Sequence, residues 1–308
     1  MGHKKSLKRN LLIALLAGSA TLYTMPIYAA TSVIANNALP ELGNNSLPSN
    51  ITISNPNDLT MDINQTGLNA VIKWDSFNVG GSATVNFKGN VEGYNTLNYV
   101  NGGNLSQIYG TINANNNGNI YLVNPAGVQI GNSAQINVGS LYVSNKYLDE
   151  TKLGDFNGTS INDLIDTNKT ADAVLMSLGN INANKVTFEG DGRIVIDSER
   201  IKDGNGAEKL NYQNINIKTD ENNTDNIIIG YDAYDENDGY KDANSDGNGN
   251  EIAKVNGEDV TKADGYMWVE DVANCKPSTP TLTATMPCVI PLTQRQLHLG
   301  MMVKVLIQ

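Results

Sequence analysis

The feature that most constrains the fold is an apolar residue that returns every eight positions between residues 110 and 144. Each occurrence lies in a short segment of alternating apolar and polar side chains, and each segment ends in Gly or Asn. Such alternation is typical of β-strands, and Gly and Asn are typical of the turns between them. The recurring residues are Ile112, Ile120, Val128 and Ile136. The pattern therefore predicts short, closely spaced strands.

Similar segments return later in the chain, at residues 179–183, 185–188, 193–196, 214–217 and 226–229. A strand of this length buries little surface alone, so such strands gain stability by stacking on similar neighbours. Asn suits the turns of a stack because it tolerates left-handed backbone angles and forms amide ladders. We therefore predict an all-β chain, most simply a right-handed parallel β-helix. The spacing also permits a β-sandwich, which would show longer strands and regular hairpins.

Two stretches depart from this pattern. Residues 31–60 precede the regular coils and contain three prolines, Pro40, Pro48 and Pro56. Because the open end of a solenoid would pair with other chains, we expect this stretch to form an N-terminal cap. Residues 159–178 are the best candidate for a short helix. The side chains that would line one face of that helix are Ile161, Leu164, Ile165 and Leu175.

The charge of the chain restricts its partners. The 308 residues carry a formal net charge of −11, and the pI is about 4.6. Nucleic-acid-binding domains usually present a basic patch, and this sequence shows none. An acidic surface also keeps a secreted chain soluble. We therefore expect no nucleic-acid partner.

The first 30 residues have the organisation of a secretory signal peptide. A basic start is followed by a short apolar core at residues 11–20 and by small residues around Ala29 and Ala30. The apolar core is too short for a good membrane span, and the small residues offer a cleavage site. The basic residues are Lys4, Lys5, Lys8 and Arg9. We predict that residues 1–30 direct the chain to the periplasm.

Histidine and cysteine are missing from the body of the chain. Between Ala30 and Asn274 neither residue type occurs, and the cysteines are Cys275 and Cys288. Ser-His-Asp and Cys-His catalysis are therefore impossible in this region. The same absence counts against a haem-binding module with direct ligation by these residues. Any catalysis in this region would rest on Asp, Glu, Lys, Arg or Tyr. We predict a protein that is not an enzyme and that holds no cofactor.

Three ordered motifs bring a known family into view. The patterns W-x-S-F-N-x-G, V-x-G-G-x-x-S-Q-I-x-G and N-P-x-G-V occur at residues 74–80, 100–110 and 124–128. Together they resemble the N-terminal secretion domain of filamentous haemagglutinin-like exoproteins, the passengers of two-partner secretion. Ala126 departs from the family's N-P-N-G turn, but Pro125 and Gly127 keep that turn feasible. The resemblance covers about residues 32–200.

The resemblance implies a right-handed β-helix with a cap and extra-helical hairpins. It also implies a partner, an outer-membrane β-barrel with periplasmic recognition modules that exports the passenger to the medium or cell surface. The exported protein would be an adhesin or haemagglutinin that reaches host or cell surfaces through downstream repeats. The residues expected to serve transporter recognition or the cap are Trp74, Ser76, Phe77, Asn78, Gly102, Gly103, Ser106, Gln107, Asn124, Pro125 and Gly127.

On this basis the chain divides into four parts. A signal peptide at 1–30 is followed by a secretion β-helix domain at 31–215. An acidic Gly/Asn-rich continuation or connector follows at 216–274, and an atypical tail at 275–308. The tail lacks the repeating strands and contains both cysteines. We interpret it as the product of a frameshift or truncation, or else as a genuine linker.

Two groups of charged residues favour other functions. Asp242, Asn244 and Asp246 match the start of a calcium loop, but the Glu expected at the twelfth loop position is missing. A solvated loop is the simpler interpretation, and any calcium binding should be weak and structural. β-Helix lyases and hydrolases use clustered charged residues in a groove. A carbohydrate-active enzyme is therefore the alternative function, with candidate residues Asp191, Arg193, Asp197, Glu199 and Arg200.

Overall fold

The computed structural model describes residues 34–158, 161–204, 212–231 and 251–261, together with short strands at 234–235, 239–240, 266–268, 286–289 and 302–305. Two compact units are present. The larger comprises Val33–Tyr231 and Asp246–Gly265, and the smaller comprises Met1–Ser32, Asp232–Ser245 and Tyr266–Gln308. The predicted signal peptide, the predicted calcium loop and most of the atypical tail lie outside the described residues.

Short strands dominate the described chain. The strands up to residue 231 are β1 (Ile51–Asn57), β2 (Thr60–Gln65), β3 (Asn69–Trp74), β4 (Thr84–Gly89), β5 (Asn95–Val100), β6 (Ser106–Ile108), β7 (Thr111–Ala114), β8 (Asn119–Val123), β9 (Val128–Ile130), β10 (Gln135–Asn137), β11 (Ser140–Ser144), β12 (Leu175–Ser177), β13 (Asn180–Asn182), β14 (Lys185–Glu189), β15 (Ile194–Asp197), β16 (Ile201–Lys202), β17 (Ile215–Lys218) and β18 (Ile227–Tyr231). Later strands are β19 (Tyr234–Asp235), β20 (Gly239–Tyr240), β21 (Glu251–Val255), β22 (Glu258–Thr261), β23 (Tyr266–Trp268), β24 (Met286–Val289) and β25 (Met302–Val305).

Three sheets run along the larger unit, and successive strands of the chain visit them in turn. Sheet A has the order β1-β2-β4-β7-β10-β13-β16, sheet B the order β3-β5-β8-β11-β14-β17-β21-β22, and sheet C contains β6-β9-β12-β15-β18. Neighbouring strands within the stack are parallel, and antiparallel pairs occur at β1–β2 and β21–β22. This arrangement is a parallel β-helix, which confirms the predicted fold class.

The strand register explains the eight-residue recurrence. Ile112 lies in sheet A, Ile120 in sheet B, Val128 in sheet C, and Ile136 lies beside Ile112 one coil later. Eight residues thus lead from one sheet to the next, and three such steps complete a coil. All four side chains are buried. Each buried aliphatic side chain contributes about 1.5–3 kcal/mol to stability. Stacked coils therefore share one continuous apolar column.

Residues 34–57 cover the first coil, in agreement with the predicted cap. Strand β1 pairs antiparallel with β2 and so covers the first parallel strand of sheet A. Further upstream, Glu41 forms an antiparallel bridge with Ser76, with backbone N–H···O distances of 2.9 and 3.2 Å. At the other end, β22 folds back on β21 in sheet B. Antiparallel strands therefore cover one edge at each end of the described stack.

One long excursion leaves the coils between β11 and β12. It contains the 3₁₀ helices η1 (Glu150–Asp155) and η2 (Asn162–Leu164) and is closed by an antiparallel bridge between Leu148 and Ile165. The predicted helix over 159–178 is wrong. Only one 3₁₀ turn forms among its described residues, and Leu175 belongs to β12, in register with Val128 and Ile194. Pairing on both sides outweighs the weak helical pattern. The other 3₁₀ helices are η3 (Ser198–Arg200), η4 (Tyr212–Asn214) and η5 (Glu221–Asn226).

The smaller unit contributes short strands only among its described residues. Strands β19 and β20 pair antiparallel, β23 pairs parallel with β24, and β24 pairs antiparallel with β25. Within the part of the chain that the structure describes, no helix has the length and apolar character needed to cross a membrane. That part also contains no cluster of three or more His, Cys, Asp or Glu side chains fit to hold a metal.

Candidate functional site

The motif residues at the end of β3 pack inside the first coils. Trp74 and Phe77 are fully buried, and their rings meet edge to face with centroids 5.5 Å apart. The indole Nε1 of Trp74 donates a 3.0 Å hydrogen bond to Oδ1 of Asn98, which is itself buried on β5. The polar atom of the indole is therefore satisfied inside the core. These two aromatic side chains join the first coil to the second.

Ser76 joins the cap to the coils, and Asn78 joins its own coil to β6, in both cases through polar groups. The backbone of Ser76 pairs with Glu41 of the cap. The side-chain Oδ1 of Asn78 accepts a 2.9 Å hydrogen bond from the backbone N–H of Gln107. Both residues are partly exposed. Their contacts link three separate stretches of sequence.

The loop at residues 101–104 is exposed and lies against the end of β3. Asn101 donates its backbone N–H to the carbonyl of Trp74, and its side chain accepts from Asn45 of the cap at 3.3 Å. A Cβ atom on Gly102 would overlap the backbone carbonyl of Asp75. Gly103 has a φ of +79°, which favours glycine. The two glycines therefore allow the loop to approach the preceding coil closely.

Asn124 is the centre of a buried hydrogen-bond network. Its Nδ2 donates to Oγ of Ser106 at 2.9 Å and to the carbonyl of Asn104 at 2.8 Å. Its Oδ1 accepts from the N–H of Ala126 at 2.9 Å. Ser106 and Gln107 are also buried. Every hydrogen-bonding atom of this buried amide is thereby used, as burial requires.

Residues 124–127 form the turn predicted from N-P-x-G. The N–H of Gly127 donates to the carbonyl of Asn124 at 2.8 Å, and the φ of Gly127 is +99°. Pro125 is partly exposed on this turn. The substitution of Ala126 for the family's usual Asn leaves the turn intact. This turn also holds Asn124 beneath the loop at 101–104.

The motif residues therefore converge on the first coils and the cap. Most are buried, and Gly102 and Gly103 are the exposed members of the predicted set. Three residues outside the motifs complete the arrangement: Glu41, Asn45 and Asn98. No local pattern marks these three, because their partners lie more than 20 positions away in the sequence. Whether any of the set contacts a transporter stays a prediction.

A ladder of side-chain amides runs along the outside of sheet A. Each amide Nδ2 donates to the residue one coil earlier, at distances between 2.6 and 3.0 Å. The members in order are Asp62, Asn86, Asn113, Asn137 and Asn182. A second ladder on sheet B joins Asn69, Asn95 and Asn119 at 2.8 and 3.1 Å. The predicted amide ladders are thus present, on strands rather than in turns.

The first ladder begins at a carboxylate. Asp62 accepts from Asn86 at 2.9 Å and from the Nζ of Lys88 at 2.6 Å. These hydrogen bonds, the one from Lys88 first, hold the pKa of Asp62 below its usual value. The charged form of Asp62 is therefore favoured at the end of the ladder toward which the amide N–H groups point.

The charged residues of the enzyme alternative are distributed among local ion pairs. Asp191 pairs with Lys146, and Asp197 pairs with Arg200 at 3.5 Å while accepting the N–H of Glu199. Asp191 lies before β15 and Asp197 ends it. A groove on the outer face of sheet B has no Asp or Glu side chain in its lining. That groove offers no acid–base pair for glycoside hydrolysis.

Fold and site together define the class: a capped parallel β-helix whose motif residues secure the first coils. The family described as TPS secretion domain matches residues 42–267, and the chain belongs to this family. Two similar proteins are each called heme/hemopexin-binding protein. One, from Haemophilus influenzae strain ATCC 51907 / DSM 11121 / KW20 / Rd, is 33% identical over 162 residues, or 52% of this chain and 16% of the relative. The other, from Haemophilus influenzae, is 40% identical over 99 residues, or 32% and 10%.

Among solved structures, the HMW1 secretion domain from Haemophilus influenzae is similar to this chain. The similarity covers 59% of this chain and 40% of the solved one, with 20% sequence identity and a TM-score of 0.36. The aligned regions span 16% or less of the length of the two curated relatives. The family assignment therefore concerns the secretion domain, and not the activity of a whole protein.

Proposed function

We propose that residues 31–215 act as the secretion-targeting and folding-nucleation module of an exoprotein that reaches the medium or the cell surface. A partner outer-membrane β-barrel with periplasmic recognition modules would read this domain and export the chain. Membership of the secretion-domain family supports a transporter partner in general. The full protein would be an adhesin whose host contacts lie in further repeats, in keeping with the small share of the relatives that is matched.

The observation that carries the nucleation role is the asymmetry of the stack. Strand β1 covers the N-terminal edge of sheet A, so each parallel strand of that sheet pairs with a strand that precedes it in the sequence. The amide ladder on sheet A repeats this direction, because every Asn donates toward the N-terminus. Coil-by-coil templating is the usual behaviour of repeat proteins. Folding that begins at the cap would then proceed toward the C-terminus and help to draw the chain outward.

Two groups of motif residues would serve different steps. Buried side chains such as Trp74 and Phe77 are inaccessible to a partner in the folded domain and support folding. The exposed loop at 101–104 can be touched directly. We therefore assign recognition to this loop, and we place the folding role in the buried network beneath it.

A secretion assay with an exposed loop variant tests the recognition role. Asn104→Arg should reduce the amount of protein in the medium several-fold when the chain is expressed with its cognate barrel. The backbone carbonyl that binds Asn124 is kept, and the Asn104 side chain is exposed, so the melting temperature should not change. Asn132→Arg, at an exposed turn of a later coil, is the matched control and should be secreted normally. Equal secretion of both variants would refute the assignment of recognition to this loop.

A further inference from the structure

Sheet C stacks one buried side chain from each of six successive coils into a column that is aliphatic at every position except one. Parallel pairing places the members in chain order, and all of them are buried. They are Val79, Ile108, Ile130, Ser177, Ile196 and Ile229. Ser177 lies on β12, is 1% exposed, and has an isoleucine on either side of it in the column. A small polar side chain thus interrupts the apolar column that the coils share.

The hydroxyl of Ser177 has no hydrogen-bond partner among the described residues. Two other buried serines do use their hydroxyls. Oγ of Ser106 accepts from Nδ2 of Asn124 at 2.9 Å, and Oγ of Ser198 donates to the carbonyl of Gly230 at 2.9 Å. A buried polar group without a partner loses its hydration and gains no hydrogen bond in return. Ser177 therefore weakens the stack through its small apolar volume and through its unpaired hydroxyl.

A second unpaired oxygen lies in the same coil, which is the fourth from the cap and consists of β10, β11 and β12. Asn145 directly follows β11 and is fully buried. Its Nδ2 donates to the carbonyls of Ala173 at 2.6 Å and Ala171 at 3.4 Å, whereas its Oδ1 has no partner. In the part of the chain that the structure describes, these two oxygens are the buried side-chain oxygens without a hydrogen bond. Both defects therefore fall in the fourth coil.

The fourth coil also closes over a much longer connection than its neighbours. Thirty residues separate β11 from β12, whereas four residues separate β8 from β9 and β14 from β15. The entropic cost of bringing two chain ends together rises with the length between them. The excursion offsets part of this cost through its buried cluster on sheet B, but no residue of β12 belongs to that cluster. Docking of β12 therefore costs more and gains less than docking of β9 or β15.

We propose that the fourth coil delays folding and that Ser177 sets the length of the delay. The cap and the first three coils form first, and the later coils wait until β12 has paired with β9. This inference rests on the proposed export role, because a delay has a use only if the stack must stay incomplete until the chain has passed the barrel. An aliphatic residue at position 177 would give an uninterrupted column, so serine lowers the stability of the stack and slows its closure.

Refolding of the whole secreted chain from urea tests the delay with two variants at one position. Ser177→Val restores a branched apolar side chain, and Ser177→Ala removes only the hydroxyl. Both should raise the urea midpoint, and Ser177→Val should refold about fivefold faster than the parent, equivalent to about 1 kcal/mol at the folding barrier. Ser198→Ala is the matched control, because it loses the hydrogen bond to Gly230 and should lower the midpoint.

Pulse-labelled hydrogen exchange during refolding gives the order in which the coils form. Amides of β2 to β9 should become protected before those of β12, β15 and β18, and Ser177→Val should shorten the interval. Simultaneous protection of the two groups in the parent would overturn the proposal.

Two further results would also overturn the delay. A Ser177→Val variant that is more stable but refolds at the parental rate would show that the contact at position 177 forms after the slow step. If valine is too large for the column, Ser177→Ala decides the matter, because it adds no volume. A loss of stability in Ser177→Ala equal to that in Ser198→Ala would show that the hydroxyl of Ser177 has a partner.

Secretion with the cognate barrel separates this inference from the proposed function. Ser177→Val should reach the medium in several-fold smaller amounts than the parent and should accumulate in the periplasm in a protease-resistant form. Normal secretion of a fast-refolding Ser177→Val variant would overturn the delay and leave the export role intact. Secretion of the parent without the barrel would instead refute the export role, whatever the refolding rates.

Discussion

At the scale of single residues, glycines mark the places where backbone must approach backbone. Gly102 contacts the carbonyl of Asp75 so closely that no side chain fits. The buried ring of Tyr94 also requires glycine at two positions, because it occupies the space that a Cβ atom on Gly89 or Gly118 would need. The hydroxyl of Tyr94 donates to the carbonyl of Phe87 at 2.9 Å. Burial raises the pKa of Tyr94 to about 12, so this donor loses its proton only at a pH well above the ordinary Tyr value of about 10.

Gly102→Ala should destabilise the domain by about 1–3 kcal/mol, because the obstructing atom is backbone and cannot move away cheaply. Gly81→Ala is the matched control. It is an exposed turn glycine near the same end of the stack, and the nearest atom to its Cβ would be 3.7 Å away. Urea unfolding of both variants measures the difference. Similar losses in the two would show that the close approach at Gly102 has no energetic weight.

Asp62 makes a stability contribution that depends on pH. Its pKa is lowered in the folded state, so the contribution is present above the ordinary Asp value of about 3.9 and fades as pH falls through the folded value. Asp62→Asn should therefore be less stable than the parent by up to about 1 kcal/mol at pH 7, as expected of a partly exposed ion pair. The difference should vanish in strong acid. Denaturant midpoints across the pH range test this, and a constant difference would contradict it.

At the scale of elements, strand pairing and the amide ladders fix each coil on its neighbour. Ladder hydrogen bonds polarise one another when they run in one direction. The ladder on sheet A begins at the charged Asp62 and continues through four Asn side chains. Its position on adjacent parallel strands keeps equivalent residues in register. A slip of one residue would separate the amides and also turn the buried isoleucines outward.

Asn113→Ala should cost more stability than Asn182→Ala. Asn113 donates to Asn86 and accepts from Asn137, whereas Asn182 has only a donated bond to Asn137 recorded among the described residues. Because a hydrogen bond is worth about 1 kcal/mol, the expected losses are about 2 and about 1 kcal/mol. Thermal or urea unfolding measures both. A larger loss for Asn182→Ala would contradict a directional ladder.

At the scale of the whole molecule, the cap closes the N-terminal end of the stack. A parallel sheet without a cap presents unpaired N–H and C=O groups to other chains. In the described structure, β1 and the Glu41–Ser76 bridge cover the start of the stack. The cap therefore closes one end of the secretion domain that the family assignment identifies.

A variant lacking residues 34–57 should associate with itself and melt at a lower temperature. The deletion exposes the outer edge of β2 and removes the pairing partner of Ser76. Light scattering after size-exclusion chromatography gives the mass, and circular dichroism gives the melting temperature. A monomer that melts with the parent would show that the cap neither blocks the edge nor supports the coils.

Much of the fold is predictable from the sequence because its cause is local. The eight-residue recurrence of Ile112, Ile120 and Val128 predicts short stacked strands, and the structure confirms the stack and places these residues in three different sheets. The cap is predictable because residues 31–60 lack the pattern. The absence of a helix at 159–178 is not predictable, because Leu175 is fixed in β12 by strand partners in two other coils. Burial of Trp74 is a reasonable expectation, whereas its hydrogen bond to Asn98, 24 positions away, is not.

The sequence by itself determined the repeating strand unit, the family and the residues that secure the first coils. It could do so because alternation, turn residues and motifs act over a few neighbouring positions. Only the tertiary structure decided which distant side chains meet. The ladder from Asp62 to Asn182 joins residues that stacking brings together across more than 20 positions at each step. The reason is that stacking converts a separation of one coil into a distance of about 5 Å.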